Sequence, residues 1–461
     1  MANNTHERKL GVLEKYQVSK QLTKAYGTVN LMAELQHDPR SDNTEQFYLD
    51  KFYAALKKLV DDHPQLCLAV VEEDQSSAHF IHLTSFDLTQ VVHFVEERYW
   101  ETRADLLAEE CRVEIDLKNT DLPVWRLRIS SHPERPDECG VTLAMHHVGG
   151  DGMTLSIFWQ ELLRHINAEP SVPRTTYMIE RPAKPVPPPY EARNPPTANF
   201  LDVIPLLCKQ AMKKLPLVGD LFQNKGWAGD FPAVADEAHH TVVRLAQVGG
   251  ATWETLSRKA KQQQVSVHAV VYTALLLGWS DVYPDESVVE LSTLINCRSL
   301  CQPPVPKNEL GNFVGAYARS WERPFPDFWV LTRTYHKALQ RNKAVAAKQS
   351  TMLKFLQDYP KSYKEMWYQK RRENSLGRTG GMELSDLGRF VVDQDTWRLK
   401  SIWFCQSAHT FSTVIGANTI TANGNMYATI SWQKGSVDEN KAEMVADKFV
   451  ERLHEAAKTV N

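Results

Sequence analysis

The sequence predicts an α/β protein built in two halves. Three observations carry that expectation. Strand-like apolar stretches alternate with stretches whose apolar residues recur every three or four positions, a mixture that packs as helices on sheets. The chain has 461 residues, too many for one ordinary core, so more than one folding unit is expected. Nine of its 24 prolines crowd into residues 169–197, a run that predicts an extended, semi-rigid crossover unable to join a core helix or sheet. The expected division is an N-terminal half over 1–168, a crossover over 169–235 and a C-terminal half over 236–461.

Composition narrows the class. A hydrophobic content of 43% with 24% charged residues is that of a globular chain, and a net charge of -3 offers no basic surface for nucleic acid. No apolar run reaches the roughly 18 residues of a membrane-spanning helix. The first nine residues lack the apolar core of a signal peptide. Seven cysteines, an odd number without a C-x-x-C pair, predict reduced thiols rather than a disulfide framework. A cytoplasmic monomer is the expectation.

In order along the chain, residues 26–35 predict a strand and 47–60 a helix, which Pro64 ends by disfavouring helical dihedrals in the residue before it. Strands follow at 66–71, 80–83 and 91–95, a helix at 103–111, and a strand at 124–129. Residues 199–222 are mostly apolar around Lys209, Lys213 and Lys214. They predict a helix that packs on the core or an interface, with peripheral membrane contact as the less favoured alternative. Beyond it come a strand at 240–248, helices at 253–262 and 268–279 (the latter apolar all round and therefore buried), and a strand at 288–295. Strands at 403–407, 410–417 and 426–432 and a helix from 437 close the chain.

The stretch around which these elements are arranged is Val141 to Gly152. An apolar run fit for a buried strand ends in His146 and His147, then Val148-Gly149-Gly150-Asp151-Gly152, and a helical pattern begins at Met153. Strand, tight turn and helix hold a polar side chain rigidly at the mouth of a cleft. Asp151 stands where an N-cap acceptor belongs, and the three glycines are expected to supply dihedrals that a side chain forbids. Histidine is the side chain best matched to take a proton near neutral pH. The structural alternative is a core histidine pair beside a capping aspartate.

His146-His147-x-x-x-Asp151-Gly152 resembles the motif of the acyltransferase superfamily that includes plant BAHD enzymes, chloramphenicol acetyltransferase and peptide-synthetase condensation domains. The doubled histidine with Asp-Gly looks most like the fungal alcohol acetyltransferase branch. The resemblance implies two chloramphenicol acetyltransferase-like subdomains, each a central mixed sheet flanked by helices, with the active-site tunnel at their interface. It implies His147 as general base, Asp151 as the residue that holds the turn, and direct attack on a thioester with no acyl-enzyme. His146 and Gly152 would support that geometry.

Later segments resemble the same superfamily. Asn296-Cys297-Arg298-Ser299 is similar to the N-x-R-S segment whose arginine, here Arg298, pairs with the motif aspartate across the halves. Gly311-Asn312-Phe313-Val314-Gly315 resembles the G-N-x-x-G segment near the pocket. Ser385-Asp386-Leu387-Gly388 looks like S-N-L-G of the condensation and alcohol acetyltransferase branches, and the D-F-G-W-G of plant enzymes is absent. Asn312, Ser385, Ser407 and Thr410 are accordingly candidate substrate-binding residues, the last two also for an oxyanion.

The implied activity is transfer of an acetyl group from acetyl-CoA, or another acyl-CoA, to the hydroxyl of an alcohol or fungal secondary metabolite. No bound cofactor or metal is expected, since His146, His147 and Asp151 have no further ligand at fixed spacing, and no phosphate-binding glycine loop or G-x-S-x-G elbow is present. The alternatives are an amine acceptor, a condensation-type enzyme taking thioesters from a carrier protein, and a non-catalytic scaffold. Retention of His147, Asp151 and Gly152 argues against the scaffold.

Overall fold

The computed structural model describes residues 5–39, 44–202, 204, 226–234, 237–374 and 376–459. In chain order the first part comprises β1 (Thr5–Lys9), α1 (Val12–Leu22), β2 (Thr28–Gln36), α2 (Glu45–Asp62), β3 (Leu68–Val71), β4 (His79–His82), β5 (Ser85–Asp87), β6 (Val92–Glu96), α3 (Tyr99–Arg112), β7 (Trp125–Ser131), β8 (Glu138–His146), α4 (Gly152–Ala168) and β9 (Met178–Glu180). The second continues with β10 (Thr241–Val248), α5 (Gly250–Gln262), α6 (Val267–Val282), β11 (Val288–Asn296), β12 (Val314–Glu322), α7 (Phe328–Ser350), α8 (Lys361–Glu373), β13 (Met382–Arg389), β14 (Arg398–Gln406), β15 (Ile415–Ala422), β16 (Asn425–Gln433) and α9 (Glu439–Lys458).

Two large mixed sheets, each flanked by helices, carry most of these strands, and the rest form the small sheets β1-β4-β3 and β5-β9. One large sheet has five strands in the order β14-β2-β8-β7-β6, the other six in the order β10-β16-β15-β13-β11-β12. In the first, β6 and β7 run parallel and the remaining neighbours antiparallel. In the second, β13 lies parallel to both β11 and β15. β8 is central and nearly all buried, which is why its sequence is a continuous apolar run instead of an alternation. α6 is likewise buried nearly all round.

The sheets do not divide as the chain does. β14 belongs by sequence to the C-terminal half, yet it pairs antiparallel with β2, from Arg398↔Gln36 to Gln406↔Val29. The Thr429 hydroxyl on β16 donates to Phe404 O of β14 at 2.7 Å, so this strand stitches the two halves together. A boundary at residue 236 is therefore not a boundary between sheets.

Three further expectations are corrected. The proline-rich stretch does join a sheet, since β9 pairs with β5 from Phe86↔Ile179 outward; the residues between its prolines suffice for a short strand. No strand spans 410–417: β15 begins at Ile415, and the residues before it bend so that Phe411 packs against Trp367 and Tyr368. None of Gly149, Gly150 and Gly152 has a positive φ, so their contribution is space, not dihedral freedom. Of the expected helix at 199–222, only residues 199–202 and 204 are described; the rest lies outside the described residues.

Candidate active site

β8 delivers His146 and His147 to its C-terminal end, and α4 starts five residues later on the Asp151 cap. His146 is fixed behind the turn, its Nδ1 accepting from Val148 N at 2.9 Å. Burial and the neighbouring His147 and Lys20 push it down to about 3, so it is neutral at physiological pH.

His147 faces forward. Asn312 Nδ2 donates to its carbonyl at 3.0 Å and lies 3.4 Å from its ring Nδ1. In the neutral ring one nitrogen carries the proton and the other is free to accept one. Nε2 has no hydrogen-bond partner among the described residues. Burial first, then the positive charge of Lys20, push this histidine down to about 4.

Asp151 is the hub that fixes the turn. Oδ1 accepts from Thr154 N at 2.9 Å, capping α4, and Oδ2 accepts from Phe313 N at 3.0 Å. Arg298 clamps both oxygens, Nη1 to Oδ2 at 2.7 Å and Nη2 to Oδ1 at 3.0 Å. The guanidinium also donates to Gly311 O at 3.1 Å and lies 4.7 Å from the Phe313 ring centroid. Burial alone would raise the Asp151 carboxyl, but Arg298 and the two backbone donors hold it below the usual carboxylate range. Residues 147 positions apart in sequence, Asp151 and Arg298, thus join the halves by a bidentate, charge-assisted contact.

Two spaces meet at His147. The larger is a cavity of about 330 Å³, reached by Tyr26, Gln406 and side chains of α1, α8 and β13. The smaller, about 50 Å³, runs beside Gly152 between Ser385, Leu387 and Phe404. A Cβ on Gly152 would stand 2.5 Å from Leu387 Cδ2, so this slot exists because the helix starts on a residue without a side chain. Gly311 has φ +143°, a left-handed conformation that favours glycine; it brings its carbonyl to Arg298 and Thr154.

The other candidates fall in different places. Ser385 lines the slot. Asn312 lies behind His147 and holds it, instead of lining either space. The Ser407 hydroxyl accepts from Thr28 N at 2.8 Å and donates toward Thr28 O and Cys111 O at 3.0 and 2.9 Å, so it ties β14 to β2 and is not free for an oxyanion. Thr410 is off the cavity wall, its buried hydroxyl having no hydrogen-bond partner among the described residues. Among the described residues no cluster of metal-ligating side chains occurs.

Several wall residues carry no motif. Tyr26 donates to Gln406 Oε1 at 3.1 Å, and Gln406 Nε2 donates to Asn418 Oδ1 at 2.9 Å. Tyr26 is the first residue of the predicted strand and lies just before the observed one, and Lys20, Lys370 and Glu383 lie on elements that sequence patterning left unassigned.

A histidine at the end of a central strand, followed by an aspartate that an arginine of the C-terminal half clamps, is the arrangement that the resemblance implies for an acyltransferase of the chloramphenicol acetyltransferase-like class. Comparisons place it further. The model of the alcohol acetyltransferase family matches residues 100–456, and the chain belongs to that family. It is similar to the probable alcohol acetyltransferase FCK4 of Fusarium pseudograminearum, 20% identical over an alignment of 425 residues that covers 85% of this chain and 83% of that protein. In fold it resembles the TRI3 trichothecene 15-O-acetyltransferase of Fusarium sporotrichioides, 12% identical with a TM-score of 0.73, covering 99% of this chain and 96% of that one. The first condensation domain of the calcium-dependent antibiotic synthetase shares the fold at 12% identity and a TM-score of 0.62, covering 98% and 97%. The chain is an acetyltransferase with an acyl-CoA donor and a small-molecule acceptor.

Proposed function

We propose that His147 Nε2 is the general base of a CoA-dependent O-acetyltransferase, with the acceptor alcohol in the larger cavity and the acetyl thioester in the slot beside Gly152. The slot suits a thin pantetheine arm, and the cavity has room and polar walls for a functionalised alcohol. The acceptor oxygen attacks the thioester carbonyl as His147 takes its proton. The tetrahedral adduct then collapses, the C–S bond breaks, and the imidazolium returns the proton to the leaving thiolate. No enzyme-bound acyl group is formed. Asp151 and Arg298 take no part in proton transfer; they hold the turn that aims His147.

The observation that carries this reading is that His147 lines both the cavity and the slot. Base catalysis of this kind contributes ~100 to 10,000-fold in rate. Purified protein given acetyl-CoA and a panel of alcohols and amines should release CoA and form acetyl esters detected by mass spectrometry. His147→Ala, folded as judged by circular dichroism, should lose at least about 100-fold. Undiminished transfer by that variant would refute the assignment. Transfer to amines alone would select the N-acylating alternative, and dependence on a carrier-protein thioester would select the condensation-type one, which the family match favours less.

A further inference from the structure

The cavity that holds His147 also carries three charged side chains that acyl transfer does not require. Lys20 of α1, Lys370 of α8 and Glu383 of β13 all line it. Among the described residues neither lysine Nζ has a hydrogen-bond acceptor or an ion pair; their close partners are ring faces. Lys20 Nζ lies 4.5 Å from the Tyr26 centroid and 5.0 Å from that of Tyr16, and Lys370 Nζ lies 4.3 Å from that of Trp367. Of the two carboxylates that act on these lysines, Glu383 lines the cavity and Glu290, which acts on Lys370, does not, so the wall itself carries two ammonium groups against one carboxylate. Burial brings both lysines down to about 8, opposed by Glu383 at Lys20 and by Glu290 and then Glu383 at Lys370, so both are charged at neutral pH. Enclosed charges without partners are costly unless a ligand supplies the counter-charge.

We propose that the acceptor bears a carboxylate in addition to its hydroxyl, the carboxylate pairing with Lys20 and Lys370 while the hydroxyl reaches His147. This rests on the acyl-transfer function proposed above. The Tyr26 ring centroid is 6.1 Å from that of His147, so the Lys20 ammonium stands one aromatic ring away from the base. Lys20 and His147 thus flank the same Tyr26 ring, a span that a short chain or one ring can bridge. The phosphates of coenzyme A sit at the far end of the pantetheine arm, too distant to occupy this place while the thioester is at His147. A bound carboxylate would also offset the Lys20 charge that weakens His147 as a base, so the base would strengthen when the right acceptor arrives.

The test uses the full chain with acetyl-CoA and paired acceptors: ω-hydroxycarboxylates from hydroxybutanoate to hydroxydecanoate and para-(hydroxymethyl)benzoate, each beside its methyl ester. The acid should exceed its ester by about tenfold or more in kcat/KM for at least one pair, as a charge-assisted hydrogen bond allows. Lys20→Met and Lys370→Met should each bring that ratio toward one, and Glu383→Gln should raise it. Calorimetric titration of para-(hydroxymethyl)benzoate into the wild-type chain without acetyl-CoA should show binding that the ester lacks, which keeps the proposal testable if a variant misfolds. Esters preferred throughout, with no carboxylate binding, would overturn it and leave acyl transfer intact. A higher KM for acetyl-CoA in the lysine variants, with the acid-to-ester ratio unchanged, would assign the lysines to the phosphates of coenzyme A and equally overturn it. Absence of transfer to every acceptor would instead count against the acyl-transfer function.

Discussion

The Asp151–Arg298 pair offers the sharpest test of how the two halves cooperate. Its side chains are 2% and 6% exposed, so removing one partner strands the other in the interior, which typically costs ~3–5 kcal/mol. The local geometry places each substitution in that range. After Arg298→Ala, Asp151 still accepts from Thr154 N and Phe313 N, so the loss should fall near the lower figure. After Asp151→Asn, an amide N–H faces a guanidinium that has lost its counter-charge, and the loss should approach the upper one. Asp151→Ala also deletes the α4 cap, worth ~1 kcal/mol more. The double variant Asp151→Asn/Arg298→Ala should be less damaged than the two singles combined, by ~1–3 kcal/mol. Urea unfolding followed by tryptophan fluorescence measures these differences, and acetyl transfer should fall with them because the turn no longer aims His147. Asp151 titrates lower in the folded chain than its unfolded value of ~3.9. Its contribution is therefore complete above that value and is lost as pH falls through the lower folded one, so Arg298→Ala and wild type should converge only in strong acid. Strictly additive losses in the cycle, or wild-type stability in either single variant, would refute the reasoning.

Two other outcomes follow from the same geometry. Because His147 is pushed down to about 4, kcat/KM with a neutral alcohol should hold through neutral pH and fall only as pH drops through that region. Lys20→Met, by removing a positive neighbour, should shift this acid limb to higher pH; a limb that stays in place would show that Lys20 does not act on the base. Gly152→Ala puts a methyl group where Leu387 Cδ2 stands 2.5 Å away. It should cost ~1–3 kcal/mol by overpacking and raise the KM for acetyl-CoA, and Leu387→Ala should relieve both effects. Failure of that rescue would remove the slot from the donor's path.

What could be read from the sequence was what is local along the chain. β8, its turn and α4 are contiguous, and a buried strand, a cap and a helix each leave their mark within a few residues. The Arg298 contact was legible only through likeness to a family, since nothing in the spacing of residues 151 and 298 links them. The role of the glycines was misjudged because sequence shows where a side chain is missing and not why; Gly152 answers to Leu387 of β13, a neighbour from the other half. Ser407 and Thr410 were chosen by position after a strand, and that position could not reveal that Thr28 and Cys111 already occupy the Ser407 hydroxyl.

The cavity wall was the least legible part, for a physical reason. α1 and α8 are polar helices that bury only a narrow stripe, so their apolar periodicity is weak, and their lysines look like ordinary solvated surface. Only the packing of α1 and α8 over the mouth of the cavity turns Lys20 and Lys370 inward, toward a base on a third element and a glutamate on a fourth. The general chemistry of the site is thus written in one continuous motif. Its selectivity is written in single residues from α1, α8 and β13 that no local pattern connects. That separation is what lets one fold keep a fixed base and turn while the acceptor changes. In this chain it places Lys20 and Lys370 on the wall of the cavity proposed for the acceptor, and leaves the slot proposed for the donor to Gly152, Ser385 and Leu387.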